Sequence, residues 1–179
     1  MKLAAERPGY TASEGSRGKG GAVHDPRGDK PESLAGYLER MSKVIFTSGV
    51  NWKVVEAKWP GIKEAFGGFD VQKVARLTPA DIDRLAVDPR LIRNRKKIEA
   101  IADNAAMLLE LDKAPSGFAG YLTALGGFEA QTADMTEHFR FLGTTSAPMF
   151  LAMVGEPIPE SYVCEQIQKF GGGGGTKAG

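Results

Sequence analysis

The clearest pattern along the chain is an apolar stripe in which Ile98, Ile101, Ala102, Ala105, Leu108 and Leu109 recur at steps of three and four, with Glu99, Asp103 and Glu110 off it. That period predicts an amphipathic helix laid on a core. Ahead of it, Thr78-Pro79-Ala80-Asp81 supplies a capping hydroxyl, a proline at the first helical position and an acid in the first turn, followed by Ile82, Leu85 and Ala86. Asp88-Pro89 repeats the start signal. Asn51 or Ser48 can cap a helix carrying Trp52, Val55 and Trp59, which Pro60-Gly61 is expected to break before Ile62, Phe66 and Phe69. Two further helices fit residues 34–45 and 118–125. No segment alternates at strand spacing and no fixed-period repeat is visible, so the expected fold is all-α.

Outside these segments the pattern stops. Residues 1–33 are rich in Gly, Ser, Pro and alternating charge, and residues 171–179 open with five glycines. The first stretch has no apolar periodicity and the second no side chains with which to pack, so nothing offsets the entropy of ordering and both are expected to be disordered or flexible tails. The helical domain is expected over residues 34–170, a common domain size.

Composition narrows the chemistry. Cys164 is the single cysteine of the 179-residue chain, so no internal disulfide forms and no zinc site with two thiolates can be built within it. His24 and His138 are the only histidines, too few for a multi-histidine hydrolytic metal site and a poor stock for a Ser–His–Asp triad. No apolar run is long enough to span a bilayer and no signal core opens the chain, so a cytoplasmic protein without a membrane partner is expected. The net charge of +1 hides an uneven distribution. Residues 37–97 hold 13 basic and 7 acidic side chains, whereas 98–131 and 132–168 each come to −4.

Two places offer contacts for phosphate. The run Arg90, Arg93, Arg95, Lys96 and Lys97 is either a phosphate-binding patch or a solvated helix face pairing with Glu99 and Asp103. In Phe139-Arg140-Phe141-Leu142-Gly143-Thr144-Thr145-Ser146, a helix capped near Thr132 or Thr136 ends at Phe141. Gly143 permits a tight turn, and Thr145 or Ser146 caps a helix through Met149, Met153 and Val154 to Gly155. The turn amides at Gly143, Thr144 and Thr145 could hold a DNA phosphate, or the unit is a plain αα-hairpin.

With these residues in view, the chain resembles the 3-methyladenine DNA glycosylase I type family, within the helix-hairpin-helix DNA glycosylase superfamily. Ser48-Gly49-Val50-Asn51-Trp52 is similar to its Gly-Leu-Ser-Trp stretch, and residues 66–74 to its Phe-x-x-Phe-Asp-x-x-x-Val element. Residues 90–98 resemble its Ile-Ile-Arg-His-Arg-x-Lys-Ile signature, and Phe141-Leu142-Gly143-Thr144-Thr145 its Phe-Val-Gly-Thr-Thr hairpin. The resemblance implies a helix-hairpin-helix glycosylase fold and base excision repair of alkylated DNA. It departs at both ends, where a glycine-rich tail replaces the family's aromatic-rich opening and only Cys164 remains of the closing His and Cys that complete its zinc site, so no zinc or other cofactor is expected. Val44 stands where the family carries a Glu that recognises the damaged base.

The implied chemistry is a monofunctional glycosylase on double-stranded DNA with alkylated bases, acting as a monomer. Trp52 is the expected stacking residue for the flipped base, with Phe46 and Tyr37 as further pocket candidates, because an indole face attracts a positively charged N-alkylated purine. Trp59, followed by Pro60, reads instead as core. Arg93, Arg95, Lys97 and the Gly143, Thr144, Thr145 turn are the expected DNA contacts. No Asp lies between Gly143 and Gln168, so Glu156 and Glu160 are the candidate carboxylates for stabilising the sugar or orienting water. No Lys lies there either, which argues against a Schiff-base lyase step. Two other readings stay open: a DNA-binding or lesion-sensing module that lost catalysis, and a helical protein-protein adaptor, which a Trp52 sealed in the core would favour.

Overall fold

The first five α-helices start where the sequence supplies a capping side chain. In the structure, a computed structural model that describes residues 27–163 and 165, Ser33 accepts the amide of Gly36 and opens α1, Leu34–Thr47. Asn51 accepts the amide of Lys53 at 2.9 Å and opens α2, Trp52–Ala65. A 3₁₀ turn at Gly67–Phe69 leads to α3, Val71–Val74, capped by Asp70. Then follow α4 (Pro79–Val87), α5 (Arg95–Leu111), α6 (Gly117–Ala124), α7 (Phe128–His138) and α8 (Ser146–Met153). No strand occurs among the described residues, so the all-α expectation holds. None of the described helices is long and apolar enough to cross a membrane.

The capping box at Thr78 forms as its spacing dictates. The Asp81 carboxylate accepts the Thr78 amide at 2.9 Å and hydroxyl at 2.6 Å and also meets Arg84, and these partners hold its carboxyl down at about 2. A carboxyl depressed on folding stabilises the fold above its ordinary range and loses that contribution as pH falls through about 2. Asp81→Asn should therefore melt below the wild type at neutral pH, with the gap closing as thermal scans move toward pH 2.

Two local signals end differently from what their residues suggest, one through tertiary packing and one through a local turn. Pro60 does not break α2, which continues to Ala65 with the proline inside it. Pro60 sits on the exposed side, while Val55 and Ile62 are buried and anchor both halves of the helix. Gly61 follows because a Cβ there would lie 3.1 Å from Arg90 Cβ. Asp88-Pro89 does not start a helix. The Asp88 carboxylate accepts the Arg90 amide at 2.8 Å and closes a turn, and α5 starts later, where the Asn94 side chain accepts the Lys97 amide.

The core lies around α1, which packs on α2, α3, α5 and α8, and its largest fully buried rings are Phe46, Phe69, Phe118 and Phe150. α5 also packs on α3, α4 and α6, and α7 pairs with α8. Of the segment read as an N-terminal tail, residues 27–33 lie against α8: Gly28 donates its amide to Ala152 O at 3.0 Å. The remainder of the expected tails, with His24 and Cys164, lies outside the described residues.

Candidate functional site

The corner between α1 and α2 brings two indoles and a cation together. Trp52 and Trp59 stand two turns apart on α2, and Lys43 on α1 places Nζ 4.9 Å from the Trp52 ring centroid and 5.5 Å from that of Trp59. Glu56 Oε1 is 3.6 Å from the same ammonium. Trp59 donates its Nε1–H to Glu39 Oε1 at 3.1 Å, Lys63 donates to Glu39 Oε2 at 3.0 Å, and the Trp59 ring stacks on Phe69 at 5.6 Å. Beside this corner runs a cleft of about 460 Å³ lined by Glu39, Arg40, Lys43, Trp59 and Met153. That volume falls in the range of small-molecule sites, roughly 300–1,000 Å³.

Trp52 is half-buried against Lys43 and is therefore not sealed in the core. The other two expected pocket residues are core residues. Phe46 is fully buried, edge-on to Phe66, and Tyr37 is buried edge-on to Phe118, so neither ring has a face for a base. The reason is the helical period of α1, which turns Tyr37, Leu38, Met41 and Ile45 inward together. Burial, with the Glu156 charge, also pushes the Tyr37 phenol up. Val44 is 2% exposed and makes part of the same packing. Trp59, read as core, does pack on Phe69 but also forms a wall of the cleft.

Most of the basic run is committed inside the protein. Lys97 is 4% exposed, and its ammonium donates to the carbonyls of Phe46 at 3.2 Å and Ser48 at 2.5 Å, closing the C-terminal end of α1. Burial pulls its pKa down. Lys97 therefore does not belong to an exposed phosphate-binding face, because its charge satisfies helix-end carbonyls. Arg95 pairs with Asp83 at 2.7 Å and Glu99 at 3.5 Å, and Arg90 with Asp88 and Glu64. Arg93 and Lys96 are exposed, and among the described residues neither makes an ion pair.

The hairpin between α7 and α8 is exposed at Phe141, Gly143, Thr144 and Thr145. Its left-handed residue is Phe141, at φ 61°, not Gly143, and Phe141 is 39% exposed. Thr145 makes no side-chain cap. The amides of Ser146 and Ala147 instead bond to Gly143 O at 3.0 and 2.9 Å. From below, Asn104 on α5 donates to Arg140 O at 2.9 Å and accepts the Arg140 amide at 2.8 Å, which fixes the strand of chain entering the turn. Asn104, Lys43, Glu39 and Arg40 were not singled out from the sequence. Asn104 had a visible signal, a polar residue within the apolar face of α5.

Glu156 and Glu160 are separated by their partners. Gln131 donates to Glu156 Oε2 at 2.9 Å and so holds a half-buried carboxylate just beyond α8, whereas Glu160 is exposed and pairs with Arg27 at 3.3 Å. The zinc site implied by the resemblance does not fit the chain. One thiol and two imidazoles are all the sequence holds, and His138 directs Nδ1 at Asp134 O, 3.1 Å away. Among the described residues no group of three or more His, Cys, Asp or Glu side chains could hold an ion.

Comparison with known proteins covers this whole framework. A family model described as methyladenine glycosylase matches residues 24–154. The DNA-3-methyladenine glycosylase of Haemophilus influenzae is 35% identical over 100 residues, which are 55% of this chain and 54% of that protein, so the chain matches about half the length of that relative. The DNA-3-methyladenine glycosylase 1 of Escherichia coli is 30% identical over 127 residues, 70% of this chain and 68% of that one. Among solved structures, a variant of 3-methyladenine DNA glycosylase I in complex with 3-methyladenine superposes with TM-score 0.65 at 25% identity, covering 72% of this chain and 81% of that one. A mutant of the Staphylococcus aureus enzyme gives TM-score 0.61 at 26% identity over 75% of this chain and 82% of that one.

Proposed function

Since the chain belongs to the methyladenine glycosylase family, we propose that it excises alkylated purines from double-stranded DNA, flipping the base out and hydrolysing its N-glycosidic bond as a monofunctional, cofactor-independent monomer of base excision repair. The observation that carries this reading is the α1–α2 corner, where Trp52 and Trp59 present their faces to one cation beside an open cleft. Extruding a nucleotide costs a few kcal/mol, least for a damaged base. Stacking on an indole returns roughly 1–3 kcal/mol, and a positive charge on the base adds roughly 0.5–2 kcal/mol. A cationic purine is already an activated leaving group, so the protein's task is to hold the base and to stabilise charge at the sugar. Glu156 is the better candidate for that second task, because Gln131 fixes its carboxylate while Glu160 stands in solvent. The exposed turn at Gly143, Thr144 and Thr145 takes the DNA backbone, with Arg93 as an exposed cation of the basic run that makes no ion pair among the described residues, and Arg95 only after release from Asp83.

A panel of duplexes, each with one alkylated purine, tests the reading through alkali-induced strand cleavage. Alkali-dependent breaks at one or more lesions, with none before alkali, are expected; duplex binding with no breaks at any lesion would instead support a lesion-sensing module, the reading that Val44 favours. Arg93→Ala should weaken duplex binding and lower the slope of log affinity against log salt by about 1. Lys97→Met should leave that slope unchanged, since its ammonium faces Phe46 and Ser48.

A further inference from the structure

The two indole faces at the α1–α2 corner already hold a cation, and it belongs to the chain itself. Lys43 Nζ sits 4.9 Å and 5.5 Å from the two centroids, and its side chain is only 22% exposed. A charged purine stacked on the same ring face would have to displace it. After displacement the ammonium would still lie close by, and two unit charges about 4 Å apart repel by roughly 1 kcal/mol in water and roughly 4 kcal/mol near a protein surface. A neutral base meets no such repulsion. The lysine has carboxylates to turn to, because Glu56 Oε1 lies 3.6 Å from its ammonium and Glu32 lines the adjoining cleft. We propose that Lys43 is a specificity-determining residue: it fills the cation seat shared by Trp52 and Trp59 and sets how strongly the site prefers charged over neutral bases.

This inference rests on the reading of the α1–α2 corner as the base site, but its test does not need turnover. Quenching of tryptophan fluorescence is titrated with 3,9-dimethyladeninium, a fixed cation, and with neutral 9-methyladenine. Wild-type protein is compared with Lys43→Met and Lys43→Gln, both of which keep a long stem without the charge. The preference for cation over neutral base should rise about tenfold in both variants, within the range of a desolvated cation–π contact. A preference that is unchanged or lower in the variants would overturn the proposal, and so would the absence of quenching by either base in all three proteins. Failure of base release from DNA bears on the proposed activity alone and leaves this result standing.

Discussion

Trp52→Ala is expected to slow single-turnover base release by about 100-fold, the sum of a lost stacking face and a lost cation–π partner, together roughly 2–3 kcal/mol. The ring is half-buried at the first position of α2, and the cap that starts the helix belongs to Asn51, so the helix keeps its start without the indole. Melting temperature should therefore fall far less than activity. Trp52→Phe keeps a smaller ring and should recover part of the rate. Release by Trp52→Ala within threefold of the wild type would place the base elsewhere, with Trp59 and the cleft it lines as the alternative.

The largest expected effect on stability comes from Asn104, buried beneath the chain that enters the turn. Asn104 is 1% exposed and both donates to and accepts from the backbone at Arg140. Alanine there leaves a partly buried amide and carbonyl without their partner and empties the amide's volume, a loss of about 2–4 kcal/mol. Thermal melting should drop by about 10 °C. Because Arg140 leads directly into the exposed turn, duplex binding should weaken as well, even at temperatures where the protein stays folded. Asn104→Asp keeps the acceptor for the Arg140 amide but sets a buried carboxylate oxygen against Arg140 O, so it should also melt well below the wild type. A drop of less than a few degrees in Asn104→Ala would show that the turn is held by other contacts.

Local chemistry was legible wherever one turn of helix decides the outcome. The Thr78–Asp81 box, the Asn51 cap and the stripe of α5 all appear where their spacing places them. Pro60 misleads because its outcome depends on residues distant in sequence, the core under α2, and Asp88-Pro89 misleads because Arg90, two residues after Asp88, turns its amide and guanidinium onto the Asp88 carboxylate and closes a turn instead of a helix. Lys97 was misread as a surface cation because a run of like charges does not say which face each residue takes. Its place four residues before Ile101 puts it at the edge of the apolar stripe, and there its stem is buried and its ammonium reaches carbonyls of α1 and the turn after it. Trp52 could be named from the resemblance as the proposed stacking residue, whereas the lysine lying across its ring could not. Two helices must pack before Lys43 and the α2 indoles meet.

The central claim is that this scaffold, with Val44 in place of a base-recognising Glu, still breaks the glycosidic bond. The most direct measurement uses wild-type protein in excess over a duplex with a single 3-methyladenine, following free base by mass spectrometry while the bound fraction is recorded in the same sample. Release of free 3-methyladenine from an unbroken strand, well above the rate of spontaneous loss, is the expected result. Saturated binding with base loss no faster than in buffer would contradict it and leave a protein that recognises DNA without cutting the bond.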